Sequence, residues 1–151
     1  MASLFDLEVS GLTMLERDIK MAGDIPMDVQ KEMVDAQAEI TESALVYTAA
    51  TMLRDGGHDE HGNKKNYSTG DLVRSIRRTK ARKQKSGPLA YIRFEGEQHG
   101  NRNAEVAFVN EYGKKSQPAR PFIATALKQS NNPAANEARK ILDEYLRKKR
   151  L

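Results

Sequence analysis

Phe5, Leu7 and Val9 alternate with Asp6 and Glu8 near the start of the chain, the period of a short strand with one buried face. Ser10-Gly11 interrupts it. Leu12, Leu15, Ile19 and Ala22 then recur at helical spacing until Gly23. Asp24 is a candidate cap for the next helix, with Pro26 in its first turn. Val29, Met33, Ala36, Ile40, Ala44, Tyr47 and Thr51 follow in steps of three and four, predicting one continuous helix stopped by Gly56-Gly57. At 1.5 Å per residue it would be roughly 40 Å long, suited to act as a spine for a sheet.

Residues 55–68 are polar and contain glycine, which predicts a mobile loop. Order resumes at Thr69-Gly70-Asp71-Leu72, with Leu72 and Ile76 four apart. Residues 89–95 alternate as a strand, and 104–109 read as a second strand with Val106 and Phe108 on one face. Residues 96–103 between them are expected to be a mobile hairpin loop. Pro121 opens a helical turn in which Phe122 and Ala126, and Ile123 and Leu127, stand four apart. Asn132-Pro133 has the form of a fresh helix start, followed by the face Ala134, Ala138, Ile141 and Tyr145. The expectation is a single α+β domain over 1–151. A small antiparallel or mixed sheet packs on a long helix in the N-terminal half, with a C-terminal helix.

Composition narrows the chemistry. A chain of 151 residues suits one domain with a modest core. The absence of Cys removes disulfides, thiol catalysis and Cys-based zinc sites. No apolar run reaches the roughly 20 residues of a membrane span, and the start lacks a basic-then-apolar signal pattern, so no membrane partner is expected. The net charge of +4 is unevenly spread. Residues 1–42 hold ten acids and three bases, a net of −7, which leaves +11 on residues 43–151. Arg74, Arg77, Arg78, Lys80, Arg82, Lys83 and Lys85 follow one another with no acid between them. Such a run suits nucleic acid or an oppositely charged protein surface, including another copy of the chain.

Nothing in the chain argues for a reaction. His58-Asp59-Glu60-His61 is the one metal-like cluster, yet it sits in a glycine-bounded loop without the spacing of a helical zinc pair. There is no nucleophile elbow and no glycine-rich phosphate loop. Ser68-Thr69-Gly70-Asp71 reads as a turn and cap. No enzyme activity, metal or cofactor is expected.

Three short motifs remain: Thr69-Gly70 with Leu72, Ser75 and Ile76; Val109 with Glu111-Tyr112-Gly113; and Pro121-Phe122 with Ala126 and Leu127. Their order resembles that of the HK-ninety-seven gene-ten-like tail-component family of long-tailed bacteriophages, which are neck or tail-completion proteins. The family often has Ala-Pro ahead of Thr-Gly, where this chain has Tyr67-Ser68, and Arg-Pro-Ala after Pro-Phe-hydrophobic, where it has Ala124-Thr125-Ala126. The resemblance implies a non-catalytic virion protein made in the host cytoplasm. It would form a ring, commonly of six copies, that joins head to tail and lets DNA pass. Its partners would be itself, the head connector or stopper, tail terminator or tail-tube proteins, and packaged DNA by non-specific contact. The alternatives are a terminator capping the tail tube and a small basic nucleic-acid-binding protein. On this reading Gly70 and Gly113 permit turns, while Leu72, Ile76, Phe122 and Leu127 anchor the core. Glu111 would pair with a basic residue such as Arg74 or Arg120, within or between subunits. Arg74, Arg77, Arg78, Lys80, Lys114, Lys115 and Arg120 would face a neighbouring subunit or the DNA channel. The acidic N-terminal third would meet a neighbour's basic remainder.

Overall fold

Two long helices lie side by side and carry a small antiparallel sheet. The computed structural model describes residues 7–9, 25–54, 61–63 and 70–149. In chain order the elements are β1 (Leu7–Val9), α1 (Met27–Met52), the single turn α2 (Asp71–Arg74), β2 (Ile76–Arg78), β3 (Arg82–Gln84) and β4 (Gly87–Phe94). There follow β5 (Glu97–Gln98), β6 (Asn101–Arg102), α3 (Asn103–Tyr112) and α4 (Phe122–Lys149). The α+β class, the long first-half helix and the C-terminal helix are as the sequence predicts. The expected helix over 12–22 and most of the 55–68 loop fall outside the described residues.

β4 is the centre of the sheet. It pairs with β1 on one side, and with β2 and then β3 on the other, always antiparallel. Along β4, Pro88, Ala90, Ile92 and Phe94 are buried while Leu89, Tyr91 and Arg93 are half-buried, so one face serves the core. β2 and β3 form one interrupted strand. Arg78 stands opposite Ile92 and Arg82 opposite Leu89, so four steps on this side match three on β4. That extra residue is a β-bulge.

The core lies between the sheet and the paired helices. α1 buries Met33, Val34, Gln37, Ala38, Thr41, Leu45, Thr48 and Ala49. This face is rotated from the predicted stripe. Met33 is shared, but Ala36, Ile40 and Ala44 are only half-buried, and Tyr47 and Thr51 are exposed. The reason is that Thr41 and Thr48 enter the core with their hydroxyls bonded to the carbonyls of Gln37 and Leu45. Polar residues satisfied by their own helix escape a search for apolar periodicity.

Two further expectations are corrected. Residues 104–109 are helix, not strand, because Ala104, Ala107, Asn110 and Glu111 are the buried set, at helical rather than alternating spacing. The hairpin expected over residues 96–103 is present as β5 to β6, turned by His99 and Gly100 at φ 50° and 79°. Nor does a new helix begin at Asn132-Pro133, since α4 runs unbroken through Pro133. Its buried residues Ala126, Ser130, Ala134 and Ala138 keep one phase across the proline. Pro133 itself is exposed, where solvent can satisfy the carbonyl its ring leaves without an N–H.

Candidate functional site

The second and third motifs meet in one joint. α3 ends at Gly113, whose φ of 79° and ψ of 176° lie in territory almost closed to other residues. A Cβ there would approach the Ala119 nitrogen to 2.8 Å and the Gln117 carbonyl oxygen to 2.9 Å. The chain then makes a tight turn, with Lys114 N–H donating to the Gln117 carbonyl at 2.9 Å and Gln117 N–H returning to Lys114 at 3.0 Å. Asn110 fastens this turn from beneath. Its Oδ1 accepts from Gln117 Nε2 at 3.0 Å and from Arg120 Nη2 at 2.5 Å, and its carbonyl accepts from Arg120 N–H at 2.6 Å.

Glu111 completes the joint. Its carboxylate is buried and accepts from the backbone N–H of Ile123 at 2.7 Å and of Ala124 at 3.0 Å, with one oxygen for each. These are among the amides a helix cannot satisfy internally in its first turn. A carboxylate also suits the positive end of the helix dipole. Glu111 is therefore a capping group supplied by another helix. Within the chain the pairing with Arg74 or Arg120 is not formed, because both oxygens are committed to α4, Arg120 serves Asn110, and Arg74 meets Asp71.

The first motif reaches the same place through the sheet. Gly70, at φ 73°, precedes α2, and Leu72 and Ile76 are buried. The Ser75 hydroxyl donates to the Leu72 carbonyl at 2.6 Å, and Glu95 N–H donates to the Ser75 carbonyl at 2.9 Å. Ile76 stands opposite Phe94, whose ring meets that of Phe122 edge-on at 6.0 Å. Phe122 is fully buried, and its carbonyl accepts from Thr48 Oγ1 of α1 at 2.9 Å. Leu127 is half-buried against the core, whereas Pro121 and Tyr112 are exposed and Tyr112 lies beside Phe108 at 4.9 Å. Thr69 lies outside the described residues.

The expected interface cations divide. Arg78 turns inward, its Nε donating to Glu42 Oε2 of α1 at 2.8 Å. The bulge beside it presents the N–H of Ala81 to Asp35 Oδ1, also on α1, at 2.6 Å. Part of the acidic third thus meets the basic run within one chain rather than across subunits. Arg120 likewise is spent inside the joint. Arg77, Lys80, Lys114 and Lys115 are exposed, as is Arg74, which donates to Asp71 at 2.5 Å. On the outer face of β4 the Arg93 guanidinium lies 4.8 Å from the centre of the Tyr91 ring.

Asn110, Gln117, Asp35 and Glu42 belong to no motif of the sequence. For the two acids a signal is nonetheless present: Asp28, Glu32, Asp35, Glu39 and Glu42 recur in steps of four and three on one side of α1. The chemistry of the joint is structural, since its polar groups bind backbone amides, carbonyls and one another. Among the described residues no cluster of three or more His, Asp or Glu is placed to hold a metal; His58 to Glu60 lie outside them, and His61 is exposed. Among them, too, no helix is long and apolar enough to cross a membrane. No protein-family model, curated protein or solved structure matches the chain.

Proposed function

We propose that the protein is a structural component of a tailed-phage virion, forming a ring at the head–tail interface as a neck or tail-completion protein. The observation that carries this reading is the convergence of its motifs. Glu111 caps the helix that Pro121-Phe122 begins, and Phe94 links Phe122 to Ile76. On this reading these residues hold the shape of one subunit. They also set out a rigid tip, Lys114 and Lys115, for contact with another protein. The partners are further copies of the chain, a head connector or stopper, and tail-tube or terminator proteins. Arg74, Arg77, Lys80, Lys114 and Lys115 are the exposed cations that such partners, or DNA in the channel, would meet.

The test is mass measurement and negative-stain imaging of the purified protein, alone and mixed with the connector and tail-tube proteins encoded near it. Closed rings, or binding to either partner, are expected. A protein that stays monomeric and binds neither, or a gene with no portal, capsid or tail genes around it, would overturn the reading.

A further inference from the structure

We infer that the β3–β4 hairpin is a duplex-DNA contact, in which Lys80, Arg82, Lys83 and Lys85 bind backbone phosphates. Every residue from Arg82 to Ser86 is exposed, so the hairpin tip stands clear of the core. Arg82 faces the same way as Leu89 across the ladder and Lys83 the same way as Pro88, so the charges leave both faces of the ribbon. None of the four cations forms an ion pair with any described residue, while Arg78 beside them does.

That division decides between partners. The acids of α1 that could have offered a neighbouring copy a complementary surface are partly committed in place, Glu42 to Arg78 and Asp35 to Ala81. What remains on the hairpin is surplus positive charge with no large apolar side chain exposed among it. Protein interfaces are built around apolar and aromatic centres and are depleted in Lys. Phosphate backbones need only charge and reach, and binding releases counterions. A two-stranded ribbon is also narrow enough to approach a duplex groove. The choice of duplex DNA as ligand rests on the ring reading above; the geometry stands without it.

The test is a salt titration of binding to a short fluorescein-labelled duplex, read by anisotropy, on the full chain. The variants are R82Q/K83Q/K85Q and a control of equal charge, K128Q/R139Q/K148Q, whose residues are exposed along α4. The hairpin triple should weaken binding about tenfold or more and flatten the log-affinity against log-salt slope by about 2–3, near 0.9 for each phosphate no longer neutralised. The control should leave the slope unchanged. The single variants K83Q and K85Q, each expected to lower the slope by about 1, cover a folding failure of the triple. Equal flattening by both triples, or no binding by the unaltered protein, would sink the inference. So would a hairpin triple that loses its rings yet keeps its salt slope. Hairpin-dependent DNA binding by a protein that forms no ring would support the inference while removing the ring reading.

Discussion

Glu111 caps a helix it does not belong to, so its effect on stability depends on both oxygens. Truncation in E111A leaves two first-turn amides of α4 without their acceptor, that of Ile123 buried, and should cost about 2–3 kcal/mol, in the range of charge-assisted bonds and strong caps. E111Q keeps one carbonyl-type acceptor and should lose roughly half as much. Chemical denaturation with linear extrapolation would check both, and equal stability of E111A and the unaltered protein would remove the capping role. This residue is visible in the sequence as part of a motif, but its partner is not. Its charge invites a basic partner, and the pull of a helix N-terminus twelve residues on only emerges once α3 is known to be a helix. Gly113 is legible for its freedom to turn; the close approach of Ala119 behind it is not.

At the level of elements, the long helix, the β4 strand and the short first strand are legible in place because each carries an apolar period, although the face that α1 buries is turned from its apolar stripe by Thr41 and Thr48. α3 reads as a strand because Val106 and Phe108 alternate, while the small residues Ala104 and Ala107 mark the true buried face. α4 reads as two helices because Asn-Pro is an equally good signal for a helix start. The phase of its small residues is the better guide. Ala126, Ser130, Ala134 and Ala138 line the side of α4 that meets α1, and their size lets the two helices approach closely. A138L, at a fully buried position, should therefore be destabilising by about 1–3 kcal/mol through overpacking. P133A, on the exposed side, should be neutral or stabilising. Thermal melts of the pair would reveal the asymmetry, and a melting point for A138L at or above that of the unaltered protein would contradict the packing.

For the whole molecule, the uneven charge along the sequence becomes an arrangement within one chain: an acidic helix side laid along the basic strand, with the excess carried outward on a hairpin. The bulge between Arg78 and Arg82 is the hinge of that arrangement, since it frees the Ala81 amide for Asp35. It has a second effect. A flat, regular border strand is an open invitation for a stranger's backbone to zip on, the first step toward fibrils and precipitates. Here the border changes register halfway and bristles with Arg and Lys, so self-templating is blocked at the point where β4's partner runs to the sheet margin. Deleting Lys80, which would smooth the border into a regular one, should raise light scattering on standing above that of the unaltered protein. One surplus residue at the bulge thus serves as a safeguard against clumping.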